Sequence, residues 1–505
     1  MNPSLQRRPP PFDIPTLFVT ALGIIALLFV NRPGIPGNVL FFAILIGMIA
    51  RSPEWAVRAF SLCFLGLVTN QAIVLKTPVW TVARFLIPAL CLLRFIADLQ
   101  QLRQPLFRPR YFAALRGFIA VAAVLAFLTN YFVHIQILKL MNFGIGAFAI
   151  LYGVRVIAAR GTDMTPWFVA VVLAVVILGF ASFPLGIGYN FRGDAFLGQR
   201  FFNGPFYHSN CLGPMAAMMG VLMACVVVFG PYRNRWLCGV LGLCLVYFMA
   251  KTQSRTSFGA LGGGILTLVS ASFFLKHGRM FRLNMRVSRT TLVGTLLLLS
   301  LAVIAYDVAS GGSLTRMAIA FAQKGKQTEA ISVEAVFASR QGLIDQMWAN
   351  FLETPLIGIG FEVSYSEYFR QNATLFNAPI EKGFMPMAVL EETGLIGTFF
   401  FLIFLGSLIA SLCRDLNVPG LVLLFTFLAV NCGESMFFSL GGHGAYGWLM
   451  TAAGMMLGPH CKAMKRTLAV QPNTPALSAS AAMQVHRETP RESGYSPTHL
   501  QDSTR

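Results

Sequence analysis

Charge is what this sequence has least of. Asp, Glu, Lys and Arg make up 12% of its 505 residues, about half of the roughly 25% usual in soluble domains. Acids are the scarcer sign, 20 against 39 bases, which leaves a formal charge of +19. With 56% hydrophobic residues, such a chain cannot cover itself with a polar surface, and collagen-like, disulfide-scaffold and largely disordered classes are excluded. Paired cysteines are lacking too. Cys63, Cys91, Cys225, Cys238 and Cys244 sit inside apolar runs, and no CxxC or CxxH pair exists to hold zinc. There is no GxxxxGK[ST] loop, so no nucleotide site is expected. No internal repeat of fixed period appears, which argues against carriers built from similar halves.

What is there is a series of apolar runs from Ile14 to Leu457. Windows of about twenty apolar residues predict an all-α, polytopic transmembrane helix bundle of about 14 spans. They fall near 14–31, 36–50, 55–75, 78–98, 117–137, 138–158, 165–183, 212–230, 236–250, 258–275, 291–307, 384–413, 418–435 and 446–460. The basic residues stand in short clusters between the runs, where they act as orientation signals against anionic headgroups, so nucleic-acid binding is not expected. With Arg7 and Arg8 inside, the clusters at Arg51, Arg103 to Arg116, Arg155 and Arg160, Arg233 and Arg235, Lys276 to Arg289, Arg414 and Lys462 to Arg466 all fall inside. Both termini are then cytoplasmic.

The chain therefore divides into a cytoplasmic arm (1–13), spans one to eleven (14–307), a large outer loop (308–383), three further spans (384–460) and a cytoplasmic tail (461–505). The arm is read as flexible, not as a cleaved signal, and the tail, rich in Pro, Ser, Thr and Ala from about Gln471, as disordered. The large loop carries helical periodicity around Val336 to Phe351 and is expected to fold as a cap.

Charged residues recur at the outer boundary, which is costly unless they face a cavity or ligand. FRGDAFLGQRFFNGPFYHSN holds Arg192, Asp194, Arg200, His208 and Asn210. KTQSRTSFGALGGG holds Lys251 and Arg255. SRQGLIDQMWANFLETPLIGIG holds Arg340, Gly358 and Gly360. EKGFMPMAVLEETGLIG holds Glu381, Lys382, Glu391 and Glu392. A guanidinium binds phosphate bidentately and keeps its charge when desolvated, so a lipid-linked pyrophosphate is a fitting ligand. The plainer readings are a snorkelling anchor or salt bridge for Arg255, a solvated helix face for Arg340 and a salt bridge to Asp194 for Arg200.

In order and placement these segments resemble the O-antigen ligase and polymerase superfamily, the Wzy- and WaaL-like membrane glycosyltransferases, including exopolysaccharide polymerases of the ExoQ type. The resemblance covers about Gln199 to Leu412. It rests on Arg200, Gly204 and Asn210, on Ser254 and Arg255, on Arg340, Trp348, Pro355, Gly358 and Gly360, and on the LEETGLIG element. It implies a GT-C-like, metal-independent, cofactor-free enzyme of the bacterial inner membrane with its active site facing the periplasm. The reaction implied is inverting transfer of a glycan from undecaprenyl pyrophosphate to a hydroxyl of an acceptor glycan or glycolipid. Its two essential arginines fall on Arg255 and Arg340, which would hold the departing pyrophosphate; the absence of a DxD pair from the outer segments agrees with this. Membrane lipids, a chain-length regulator and export proteins are the partners implied.

One motif departs. Gly394 and Gly397 match the glycines of a His-[Asn/Ser/Gln]-x9-Gly-x-x-Gly element, but Gly383 and Phe384 stand where its His and neighbour belong. Glu381 is the nearest base, or else the salt-bridge partner of an arginine, with Lys382 beside it; His208 and His443 are reserve bases. Arg192, Arg200, His208, Asn210, Lys251 and Lys382 are the expected substrate-binding set, and Glu381, Arg255 and Arg340 the catalytic one. Glu391 and Glu392 are read as acids that set the loop on the bundle. A polymerase is favoured; a ligase of the same superfamily and a lipid-linked oligosaccharide flippase or other carrier are the alternatives.

Overall fold

The structure is a computed structural model that describes residues 12–191, 200–230, 232, 234–252, 254–274, 294, 297–298, 301, 304–311, 333–364, 366–374, 382–440 and 442–469. Apart from one short hairpin it is helical. The elements are α1 (Ile14–Phe29), α2 (Ile35–Arg51), α3 (Pro53–Val68), α4 (Pro78–Gln101), α5 (Tyr111–Thr129), α6 (Val133–Arg160) and α7 (Thr165–Leu185). The antiparallel hairpin β1 (Tyr189–Phe191) and β2 (Arg200–Phe202) follows. Then come α8 (Ser209–Phe229), α9 (Trp236–Thr252), α10 (Arg255–Phe274), α11 (Val333–Glu353), α12 (Glu367–Asn372), α13 (Met385–Arg414), α14 (Val418–Asn431) and α15 (Gly444–Ala469). The chain clusters into two units, Met1–Cys461 and Lys462–Arg505; of the second, only the helical backbone as far as Ala469 lies within the described residues. About half of the predicted span at 291–307 lies outside them, as does most of the tail.

Proline starts these helices. It occupies the first or second position of α1, α2, α3, α4, α7, α13 and α14, where its fixed φ suits the helix and its missing N–H has no intrahelical partner to lose. Asp13, Ser52 and Asn417 add side-chain caps, accepting from Thr16, Trp55 and Gly420 N–H.

Among the described residues six helices, α4, α5, α6, α7, α8 and α13, are long and apolar enough to cross a membrane, and α1, α2, α9 and α14 are shorter apolar helices. Their burial is graded: 83% of the apolar window of α8 is inside the bundle, against 28% for α13. The central helix is therefore α8, while α13 presents Phe399, Leu402 and Ile403 outward. Such outward apolar surface is stable against lipid tails and not against water. Small residues allow close approach inside: Gly66 seats the Trp80 indole and Gly179 the Phe248 ring, where a Cβ would collide.

Several predicted boundaries move: α3 ends at Val68, not at 75, and α5 starts at Tyr111, not at 117. The turn between the fifth and sixth runs lies at 130–132, not at 137–138, because Asn130 and Phe132 both adopt left-handed backbone (φ 50° and 48°). Because α5 begins at Tyr111, Arg116 falls inside it, and with the turn at 130–132 α6 extends to 28 residues.

The two ends of the bundle differ in their polar chemistry. At one end Asp98 is buried between Arg94 (2.9 Å) and Arg160 (2.8 Å), with Glu54 3.8 Å from Arg160. Arg58 lies over the Trp55 and Trp167 rings there, and Arg155 donates to the Pro105 and Leu106 carbonyls. The other end gathers residues 68–77, the two hairpin strands, the start of α10, residues 353–364, 366–374 and 382–384, and residues 431–440 and 442–443, and it carries the candidate site.

Candidate functional site

The site is built on a broken helix. Gly394 interrupts α13 with φ 59° and ψ −168°, a conformation open only to glycine. A break of this kind leaves backbone groups without intrahelical partners. Residues 355–360 take them up. Ile359 N–H donates to Glu391 O (2.9 Å), Gly360 N–H to Glu392 O (2.9 Å), Leu395 N–H to Pro355 O (2.9 Å) and Ile396 N–H to Leu356 O (3.2 Å). Gly358 and Gly360, also at positive φ, lie so close to Glu392 and Gln136 that a Cβ on either would collide. The TPLIGIG and LEETGLIG elements, which the sequence carries more than thirty residues apart, are thus one clasp.

Charge sits at this clasp. Lys382 is only 6% exposed, and its ammonium lies 2.6 Å from Glu391 Oε2, 3.0 Å from Glu392 Oε1 and 2.8 Å from Val363 O. Burial opposes its charge, but Glu392 and Glu391 together hold it above the ordinary lysine value. Glu391 also accepts from Asn350 Nδ2 (2.6 Å) and Glu392 from Glu362 N–H (2.9 Å). Glu362 in turn lies 3.8 Å from Lys139, which donates to its carbonyl at 2.7 Å. Burial raises the Glu362 carboxyl, with Lys139 and Lys382 opposing. Gln136 completes the network, accepting from Phe361 N–H (2.9 Å) and donating to Thr129 and to the Tyr131 carbonyl.

Lys382, expected among the substrate-binding residues, is here held by two carboxylates and a backbone carbonyl. An ammonium has three protons, and three protein oxygens lie within 3.0 Å of this one. Lys382 tethers; Glu391 and Glu392 set residues 353–363 on the bundle.

The remaining predicted residues divide by position. Arg255 opens α10, half-buried, beside Ser254, whose hydroxyl lies 2.6 Å from that of Ser257. Gly213 of α8 packs against these two serines and Gly433 against Thr256, so α8, α10 and the end of α14 converge around the Arg255 turn. His208 caps α8, its Nδ1 accepting from Asn210 N–H at 3.0 Å, and Asn210 is exposed in the first turn. Lys251 is exposed at the end of α9, 5.6 Å from the Tyr247 ring centroid. Arg200 is the first residue of β2, paired with Phe191, and Arg340 lies in α11. Arg192 and Glu381 fall outside the described residues, as do the side chains of Arg200 and Arg340.

Sequence reasoning passed over Lys76, Lys139 and Tyr207. Lys76 lies 4.7 Å from the Tyr207 ring centroid, and the Tyr207 hydroxyl 2.7 Å from His443 Nδ1. The signal was present: Lys76 and Lys139 stand on the outer side of the charge topology, the same criterion that marked Lys251. Among the described residues no group of three His, Cys, Asp or Glu side chains is arranged to hold a metal.

Fold and site together define a helical protein with membrane-type apolar spans and a polar, partly basic site at one end. No protein-family model and no curated protein sequence matches this chain.

Proposed function

We propose that the protein is a polytopic membrane glycosyltransferase of the polymerase kind. It has about 14 spans in a GT-C-like arrangement and acts on the outer face of a bacterial inner membrane. The donor is a glycan on undecaprenyl pyrophosphate and the nucleophile a sugar hydroxyl. The bond from the anomeric carbon to the pyrophosphate oxygen breaks, that oxygen leaves with the electron pair, and the acceptor oxygen forms the new glycosidic bond from the opposite face. Arg255 and Arg340 stabilise the departing charge, the kind of electrostatic term that is largest in many enzymes, and Glu381 takes the hydroxyl proton.

The observation that carries this reading is the placement of Arg255. It begins a helix at the end where the loops gather, away from the Asp98 ion-pair cluster, where a lipid-linked anion arriving along the bilayer surface would meet it. A charged side chain at such a boundary is costly unless it meets an anion, and the pyrophosphate of a lipid-linked donor is one such anion.

The test is reconstitution of the purified protein in liposomes with a lipid-pyrophosphate-linked repeat unit, followed by gel analysis of chain length. A product ladder that disappears in Arg255→Ala and Arg340→Ala is expected. A single transfer onto a glycolipid acceptor would make the enzyme a ligase. Movement of the lipid-linked sugar between leaflets without a new glycosidic bond would replace the reading by a carrier.

A further inference from the structure

The opposite, arginine-rich end of the bundle holds a pair of cations that the transfer chemistry leaves unused. Several arginines there spend their N–H groups on protein oxygens. Arg94 donates to Asp98 (2.9 Å) and to Ala50 O (3.3 Å), Arg160 to Asp98 (2.8 Å), and Arg155 to Pro105 O and Leu106 O. Arg51, the last residue of α2, and Arg58, in the second turn of α3, meet rings instead. The Arg51 guanidinium lies 5.1 Å and that of Arg58 4.4 Å from the Trp55 ring centroid, and Arg58 is also 5.4 Å from that of Trp167. One indole thus carries two guanidiniums, whose separation cannot exceed the sum of their distances to it. Among the described residues neither arginine has a hydrogen bond or ion pair to protein.

A ring covers the flat face of a guanidinium and leaves its N–H edge unspent. Arg58 is half-buried, and its Nε is enclosed with no acceptor, so its terminal N–H groups are what it has to offer. The charged groups that face it are Glu54 and Arg51. Glu54 is already engaged, with Thr162 Oγ1 at 3.1 Å and Arg160 at 3.8 Å, and Asp98 is held by Arg94 and Arg160. The local acids are therefore spent on other partners, while two guanidiniums that cannot lose their protons share one indole. Their repulsion and the unmet donor both favour an anion. Beside Arg51 the outward face of α2 is low. Ala43, Gly47 and Ala50 are exposed, and a Cβ added at Gly47 would meet nothing within 4 Å. These three positions and Arg51 share one helical face, so a shallow apolar strip runs from the arginines along the outside of the bundle.

We propose that Arg51 and Arg58 bind the phosphate of one anionic phospholipid in the adjoining leaflet, with an acyl chain along the Ala43–Gly47–Ala50 strip of α2. Guanidiniums give phosphate oxygens charge-assisted bonds, and a tryptophan beside them suits the headgroup level of a membrane. The strip favours a lipid over free phosphate, because only a chain can bury it. Any basic cluster attracts anionic headgroups in a diffuse way; here one particular lipid is held, and two substitutions remove it. The site lies at the other end of the bundle from Arg255, and the inference does not require that the protein form glycosidic bonds.

Native mass spectrometry of the purified full chain in neutral detergent tests it, with phosphatidylglycerol and phosphatidylcholine titrated in parallel. The expected result is a first phosphatidylglycerol adduct whose affinity falls about tenfold or more in the double variant Arg51→Gln, Arg58→Gln. It should be unchanged in Arg103→Gln, Arg108→Gln, which removes two exposed charges from the same end. Gly47→Leu, which fills the strip and leaves both arginines, should weaken the same adduct, and phosphatidylcholine should not replace it. If Arg58→Gln disturbs packing against the indoles, Arg51→Gln alone, at an exposed residue, should still lower the affinity. An equal loss in the Arg103, Arg108 variant would mean that the whole positive end attracts lipid without a site. An undiminished adduct in the Arg51, Arg58 variant would remove these residues from lipid binding. Displacement of the lipid by millimolar inorganic phosphate, with Gly47→Leu having no effect, would make the ligand a soluble anion. Each of these three results overturns the proposal.

Discussion

Replacing Lys382 by methionine tests the clasp most directly. The ammonium makes three close contacts, to Glu391, Glu392 and the Val363 carbonyl, and both carboxylates are almost fully buried, at 1% and 2% exposed. Methionine fills much of the volume, so the loss is electrostatic: two carboxylates remain in an apolar site with no cation between them. Breaking a buried pair in this way costs about 3–5 kcal/mol. At roughly 2–4 °C per kcal/mol for domains of 150–250 residues, and less for longer chains, the melting temperature in detergent should fall by about 5–10 °C. The control is the triple variant Lys382→Met, Glu391→Gln, Glu392→Gln. It removes all three charges yet keeps an amide oxygen for Asn350 Nδ2 and for Glu362 N–H. Neutral replacement of a buried ion cluster is often without penalty, so the triple variant should melt close to the parent. If Lys382→Met alone melted within about 1 °C of the parent, or the triple variant were as unstable as the single one, the charge argument would be wrong.

Gly394→Ala should be at least as damaging, because its φ is 59° and the added Cβ collides with the Leu356 backbone; a loss of about 2 kcal/mol or more, read from thermal melts, is expected, while Gly406→Ala in the same helix, with open space around it, should be neutral. His443 predicts a pH effect. Its folded value of about 4 lies below the ordinary 6.5, so the unfolded chain binds the proton first and the stability it contributes, complete above pH 6.5, declines as pH falls toward 4. The difference in melting temperature between the parent and His443→Gln should therefore change across that window and level off on either side.

Helices were the part of this fold most legible from sequence. Apolar runs marked α1, α2, α4, α7 and α13 to within a few residues, since that signal is local. The turn at Asn130 was less visible, because nothing local shows that the LTNYFVH stretch would turn at its asparagine and not after His134. The acids of LEETGLIG were read as anchors of the loop, yet the break at Gly394 could not be seen, because the groups that occupy it come from Pro355 to Gly360, far away in sequence. Lys382 shows the limit of charge reasoning: an outward lysine beside an apolar run looks the same whether it meets a ligand or two buried carboxylates. The Tyr207–His443 contact joins residues more than two hundred positions apart, and no spacing rule relates them.

The clasp around Gly394 also bears on the order in which the protein can be made. Residues 355–360 leave the ribosome before α13 does, so the segment that occupies the gap is already made when the interrupted helix arrives. Helix and clasp then close as neighbours on the chain, with no long search. A cut or an inserted tag between Gly360 and Met385 would leave both parts present while removing the tether that holds them at high effective concentration. The assembly history of this membrane segment is thus written into a loop that precedes it.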